Sequence, residues 1–324
     1  MPGLTLTSEW DGEEEASALL LRPGSTDVAV VRPSLPPVVL AADAHCLWQD
    51  TDGALVAAWD PQGLHLAVGR ENGSVSVFIA PAMLLVATFQ APAPWVTALA
   101  WAPKGDTLAV AAGKTVSWWN PTKGTLQGAW TGAPSTVADL DWPPQGPLAA
   151  CGYGGAWVFS QPGSAPSRKL EWKGSSLKVK WAPNLKWLTT ADQDRTVHIW
   201  PWPQGGDLMM GSFDAKSLSL VWSPSGGHLA TSGSAGLVLW DCRGRGPGGR
   251  KPLVGEEKGL ITSIDLKDHY ATVDDEGNLV VWDNQAEVLG QAQLGSPGVG
   301  VVWVTNNSLL VAQSDGVVRT YRWE

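Results

Sequence analysis

The sequence predicts an all-β fold in which short four-stranded antiparallel sheets repeat around a single closed ring. Three observations predict it. Twenty tryptophans stand in 324 residues, and most recur at a fixed interval. Trp59, Trp101, Trp142, Trp181 and Trp222 each close an apolar run, at successive gaps of 42, 41, 39 and 41. Leu266 holds the same place 44 residues after Trp222, and Trp303 follows 37 later. The second observation is the punctuation: Trp59-Asp-Pro-Gln-Gly, Trp101-Ala-Pro-Lys-Gly, Trp142-Pro-Pro-Gln-Gly, Trp181-Ala-Pro-Asn and Trp222-Ser-Pro-Ser-Gly. Third, Gly (37) and Pro (24) are abundant while charged residues make up only 16%, as many short strands joined by tight turns require. Self-similarity at about 40 residues with strand–turn–strand punctuation marks a β-propeller blade, not a helical solenoid.

Within one repeat the strands follow in order. Ser217–Trp222 is strand a, Ser223-Pro-Ser-Gly turns, His228–Ser232 is strand b, and Leu237–Asp241 is strand c. A strand d precedes the next unit. Strand c repeats as Val75–Phe78, Val116–Trp119, Trp157–Phe159, Val197–Trp200, Leu237–Trp240, Leu279–Trp282 and Val317–Tyr321, with an aromatic at one position each time. Strand d has its own aromatic at Trp48, Phe89, Trp130, Trp172 and Phe213. Large rings at fixed depth fill the gap between neighbouring sheets, so most of these tryptophans are expected in the core.

These residues resemble the WD-repeat family. Thr196-Val-His-Ile-Trp200, Trp240-Asp241 and Trp282-Asp283 look like its strand-c ending. Asp194, Glu276 and Asp315 fall where its structural acid sits in the b–c turn, and Asn72 takes that place earlier. The family's Gly-His before strand a is missing in every repeat, so its His–Ser/Thr–Trp–Asp network is expected to be incomplete. The resemblance implies a protein-interaction platform, not an enzyme.

Counting units gives eight blades, with seven as the alternative. Leu21-Arg-Pro-Gly, Val28–Arg32, Val38–Leu40 and Cys46–Trp48 read as a degenerate first repeat, since Leu21 to Leu40 spans the same 19 residues as Trp59 to Phe78. The expected blades are 16–49, 53–90, 95–130, 136–172, 176–213, 217–255, 260–294 and 298–324. The last ends without a strand d. Leu4–Trp10 supplies one, because Trp10 to Leu21 and Trp48 to Trp59 are both 11 residues. Residues 1–15 are then a closing strand with an acidic loop, and 1–324 is one propeller.

Composition limits the function classes. A formal charge of −9 argues against a general nucleic-acid binder. Cys46, Cys151 and Cys242 lie in different repeats and form no visible disulfide framework or CxxC site. No apolar run reaches membrane-spanning length, and the start lacks a basic n-region, so a cytoplasmic protein without membrane contact is expected. Gly244-Arg-Gly-Pro-Gly-Gly249 matches G-x-G-x-x-G but lacks the flanking strand and helix of a nucleotide site. The five histidines show no chelating spacing. No catalytic residue, cofactor or metal is expected.

Loop assignment separates two sets of candidate residues. The d–a and b–c connections are rich in acids, including Glu256, Glu257, Asp274 and Asp275, and carry the surplus Trp95. Such a field steers a basic partner, with a merely solvating charged rim as the plainer alternative. The a–b and c–d connections carry Arg243, Arg245, Arg250 and Lys251 in the longest loop; the preceding repeat places Trp187 at the start of strand b and Trp202 in its own c–d loop. Exposed Trp beside Arg is a hot-spot composition, while a solvent-filled loop is the plainer alternative. The leading expectation is a monomeric, non-enzymatic scaffold that docks a protein or peptide. The competing one is a small-ligand or metal-binding, or enzymatic, propeller using the acidic face near the central channel.

Overall fold

A computed structural model of the protein describes residues 3–324, so the first two positions of the expected closing segment lie outside the described residues. Every regular element among them is a β-strand. β1 (Leu4–Asp11) comes first. β2 (Ala18–Leu21), β3 (Val28–Val31), β4 (Val38–Leu40) and β5 (Cys46–Gln49) form a sheet in that order. So do β6 (Val56–Trp59), β7 (His65–Gly69), β8 (Ser74–Ile79) and β9 (Leu84–Gln90). β10 (Val96–Trp101), β11 (Leu108–Ala112), β12 (Thr115–Asn120) and β13 (Thr125–Trp130) make the next.

A longer sheet follows, from β14 (Val137–Asp141), β15 (Leu148–Phe159), β16 (Arg168–Trp181), β17 (Trp187–Asp192), β18 (Val197–Pro201) and β19 (Leu208–Met210). β20 (Leu220–Trp222), β21 (His228–Thr231), β22 (Val238–Asp241) and β23 (Leu253–Val254) return to four strands. β24 (Ile261–Leu266), β25 (Tyr270–Asp274), β26 (Asn278–Trp282) and β27 (Val288–Gln293) repeat the pattern. Finally β28 (Gly298–Thr305), β29 (Ser308–Gln313) and β30 (Val317–Trp323) take β1 as their outer strand, in the order β1-β30-β29-β28.

The structure therefore has seven sheets, six of four strands and one of six, and this corrects the expectation of eight separate ones. The reason lies between the repeats expected at 136–172 and 176–213. Lys173–Ser175 was expected to be a loop, but Ser175 pairs with Tyr153 and Ser176 with Asp192, so the backbone stays extended and β16 serves both repeats. β15 likewise runs on through Gly152–Gly155, where Gly154 and Gly155 adopt φ of 96° and 110°. Strand a of the 217–255 repeat is also shorter than expected, since only Leu220–Trp222 pairs.

The strands group into two compact units. One holds the described part of Met1–Arg22, with Thr26–Asp52 and Gly211–Glu324; the other holds Pro23–Ser25 and Gly53–Met210. In both, most inner strands are covered on both faces, β16 excepted. β11 and β17 are buried at every position, as are β3 and β25, whereas outer strands such as β9 and β13 are mostly exposed. A strand buried on both sides needs a continuous apolar run, which is what Leu108-Ala-Val-Ala-Ala112 provides.

Neighbouring repeats are tied by two repeated devices. One is aromatic: Phe89 stacks on Trp119 at 4.4 Å, Trp130 meets Phe159 at 5.2 Å, and Phe213 meets Trp240 at 6.1 Å. Each pair joins an aromatic of the strand-d end of one repeat to strand c of the next. The other is polar. In the second unit Asp139 and Asp141 on β14 accept the backbone N–H of Val179 (3.0 Å) and Trp181 (2.7 Å) on β16, and Thr97 donates to the Val137 carbonyl at 2.7 Å. In the first unit Asp265 on β24 accepts the Trp303 N–H at 2.7 Å, and the Ser219 hydroxyl accepts the Ile264 N–H at 3.1 Å.

β1 runs antiparallel to β30 from Leu4 opposite Trp323 to Asp11 opposite Val317. Leu4 packs against the cluster holding Trp303, Leu309, Tyr321 and Trp323, while Trp10 covers Leu310 and Val318 and lies 5.2 Å from the Arg32 guanidinium. Burying one large side chain contributes roughly 1.5–3 kcal/mol, and the lost ladder bonds add to that. Deletion of residues 1–10 is expected to lower the apparent melting temperature by at least about 3 °C and to promote aggregation through the bared β30 edge. Trp10→Ala alone should produce part of that shift. A deletion variant whose calorimetric trace overlays the parent would show that β1 adds nothing to the fold.

Candidate partner-binding surface

In the first unit a groove of about 840 Å³ opens beside the outer strands of two successive sheets. Its wall is the d–a connection Gly255–Lys258 with Val254 and Ala235, and its other side is Glu276, Asn278, Gln291 and Gln293. Two glycines bring these segments together. A Cβ on Gly255 would lie 2.3 Å from the Trp282 ring, and one on Gly236 (φ 78°) would lie 1.7 Å from the Gly255 carbonyl oxygen. Neither position accepts another residue without moving backbone. Gln293 then fixes the far side by donating its side-chain amide to the carbonyls of Glu276 (3.1 Å) and Gly277 (3.0 Å).

The groove carries Glu256, Glu257 and Glu276 against the single cation Lys258. Partial burial holds the Glu257 carboxyl above its ordinary value, and the nearby Asp274 and Glu276 push the same way. Negative charge is thus concentrated, and a cation entering the groove relieves it. Val254 adds an exposed apolar surface beside the acids.

The structure exchanges two roles assigned from sequence. Asp274 was expected on a binding surface, yet it is 2% exposed and holds the b–c turn. Its carboxylate accepts the N–H of Glu276 (3.0 Å) and Asn278 (2.7 Å) and the Asn278 side chain (2.7 Å). Glu276, expected as the turn acid, is exposed and lines the groove instead. Asp275 is exposed but accepts the Leu260 N–H at 2.7 Å. The other turn positions behave alike: Asn72 accepts from Ser74 N–H, Asp315 from Val317 N–H, and Asp194 from the Thr196 hydroxyl. Part of the family-type network is present, since Trp200, Trp240 and Trp282 donate their indole N–H to Thr190, Thr231 and Thr272.

The tryptophans singled out from sequence separate into three cases. Trp95 is 55% exposed in a connection at φ 61°. Trp187 was expected to be exposed but is 5% exposed, because it begins β17 in ladder with Pro201. Trp202 is half-buried; its ring meets Trp181 edge-on at 5.2 Å and lies 5.7 Å from the Arg168 guanidinium. All three belong to one unit and the charged residues to the other, so no site within a unit combines them.

The basic loop of the first unit is folded, not loose. Gly246 N–H donates to the Arg243 carbonyl and Arg250 N–H to that of Pro247. Arg243, Arg250 and Lys251 line a second, smaller pocket of about 350 Å³ with His228, Asp241 and Asn284. Arg245 is exposed in the same loop and does not line it. The lining was not legible in sequence, because Asp241 read only as a strand ending.

The second unit contains one buried titratable group of a different kind. His198 is fully buried between the rings of Trp172 (4.1 Å) and Trp200 (5.6 Å). Its Nδ1 donates to Asp207 at 2.6 Å, while Nε2 faces the buried Asp192 carboxyl across 3.7 Å, too far for a hydrogen bond. Burial pushes the Asp192 carboxyl from 3.8 up to about 6, against the opposing effects of Ser176 and His198. Among the described residues no group of three or more His, Cys, Asp and Glu side chains is placed to hold a metal ion, and no helix is long and apolar enough to cross a membrane.

A raised carboxyl makes stability depend on pH in a stated direction. The unfolded chain releases this proton near 3.8 and the folded chain near 6. Stability from Asp192 is complete below about pH 4 and is lost as pH rises to about 6, by up to about 3 kcal/mol. Urea midpoints measured at pH 4.5 and 7.5 should therefore differ less in Asp192→Asn than in the parent chain. Equal differences would mean that Asp192 does not titrate in this window.

Residues 83–120 and 169–201 match the family model described as WD domain, G-beta repeat. The crystal structure of the computationally designed Ika8 protein, in a P63 packing, matches with a TM-score of 0.81 at 15% identity. That match covers 98% of this chain and 99% of that one. At this identity the likeness is one of fold.

Proposed function

We propose that this chain, in which two stretches match the WD-repeat model and the strands form β-propeller blades, is a non-enzymatic scaffold whose acidic groove docks a basic peptide segment of a partner protein. The observation that carries the reading is the groove itself: three carboxylates to one ammonium, an apolar wall at Val254, and a backbone frame fixed by Gly236 and Gly255. A pre-formed concave surface of this size suits an extended segment, and its charge favours Lys or Arg side chains. Rigid loops on stacked sheets keep the cost of ordering low on binding.

The proposal includes a monomeric chain in the cytoplasm, with no cofactor and with no nucleic acid or membrane among its partners. The three free cysteines, one of them exposed at Cys46, suit a reducing compartment. Trp95 remains a candidate contact for a partner because its ring is exposed, and Trp202 contributes through its uncovered edge.

Fluorescence anisotropy with a labelled Lys/Arg-rich peptide tests the groove. Binding should weaken about tenfold or more between 50 and 300 mM salt, since exposed charges are screened over about 8 Å at physiological ionic strength. The triple variant Glu256→Lys, Glu257→Lys and Glu276→Lys should slow association by a similar factor without changing the melting temperature by more than about 2 °C. Salt-independent binding, or unchanged binding by the triple variant, would remove the groove as the docking site.

A further inference from the structure

The smaller pocket on the other side of β23 has the opposite chemistry. Asp241, at the end of β22, accepts three hydrogen bonds from Arg243 and forms an ion pair with Arg250. Its Oδ1 takes the Arg243 backbone N–H (3.0 Å) and Nε (2.9 Å); its Oδ2 takes Arg243 Nη2 (3.0 Å) and pairs with Arg250 Nη1 (2.8 Å). The arginine bonds hold its carboxyl below the usual carboxylate range. The bonds orient the Arg243 guanidinium and the ion pair draws Arg250 beside it, leaving Arg243 Nη1 and Arg250 Nε and Nη2 to donate elsewhere. With Lys251 the pocket holds three cations to one carboxylate, a local excess of two positive charges on a chain of net charge −9.

We propose that this pocket receives the phosphate group of a phosphorylated serine or threonine on a partner peptide. A guanidinium pair held in place by a shared carboxylate loses little freedom when an oxyanion arrives, and its forked donors match phosphate oxygens. Lys251 supplies an exposed third charge. The volume of about 350 Å³ admits a phosphate with its carrying side chain. Asn284 and Gln285 present side-chain amides, and exposed Leu253 presents an apolar surface. Those groups suit a peptide backbone and side chains better than a lipid headgroup. The inference shares the docking role proposed above but stands on a different surface, so each can fail alone.

The test titrates the full chain with inorganic phosphate and with a five-residue Gly-Gly-phosphoserine-Gly-Gly peptide, by isothermal calorimetry. Saturable one-site binding is expected, with the phosphopeptide at least tenfold tighter than its Ser and Glu counterparts. Arg250→Ala should weaken it at least tenfold, and Arg245→Ala, outside the pocket, should leave it unchanged. Asp241→Asn decides between organisation and charge alone, since it makes the pocket more positive while releasing both arginines. Weaker phosphopeptide binding by that variant supports the proposal, with a melting curve confirming that it is folded. Tighter binding, equal affinity for the Glu peptide, or no saturation would overturn it. Binding to vesicles bearing phosphoinositide headgroups without binding to the peptide would assign the pocket to a membrane instead.

Discussion

Each sheet of this protein is apolar on both faces and cannot stand in water by itself. β11 shows the constraint most plainly, since Leu108-Ala-Val-Ala-Ala112 is apolar throughout and none of its residues reaches solvent. A sheet of this kind is stable only between two others, so burial forces repetition. Everything else follows from how consecutive sheets are held at a fixed offset. Aromatic rings set the distance, as in Phe89 on Trp119. Carboxylates and hydroxyls on the first strand of one sheet set the register by taking backbone donors of the next, as Asp265 does for Trp303. The ring contacts are non-directional and the polar ones directional, and the pair together leaves little freedom of slip.

That division explains which parts can vary. The outer strands and connections contribute little to the buried faces, and the unusual chemistry is found there. Around β23, a strand of only two residues, an acidic groove and a basic pocket lie on either side of one thin element. Both depend on positions that tolerate no side chain or on a carboxylate shared between partners. Their geometry is set by packing beneath, and their charge by residues that packing does not constrain.

The repeating tryptophans and strand-c aromatics made the blade architecture legible, because a ring at constant depth must recur at constant spacing. The acids were not legible in the same way. Asp139, Asp141 and Asp265 read as ordinary polar residues in a strand; only their spacing of one and three before Trp142 or Leu266 hinted that they share a face. Asp274 and Glu276 are two residues apart, and sequence could not tell which one turns inward. Trp187 was legible as the first residue of a strand, but sequence could not tell that its ring turns inward there. The basic loop was visible as composition, but its organising carboxylate was hidden in the strand ending before it.

The continuity of β16 has a consequence for modularity. Elsewhere among the described residues each repeat hands over to the next through a connection outside the named strands, as at Gly255–Leu260, which makes a single bridge to Ala235. At Lys173–Ser175 the handover is itself paired backbone, opposite Tyr153 on one side and leading to Asp192 on the other. The two repeats therefore inherit, insert and come apart as one block of twice the usual length. A chain of this architecture can gain or lose material between its other blades, whereas here any added residue would have to fit inside a strand.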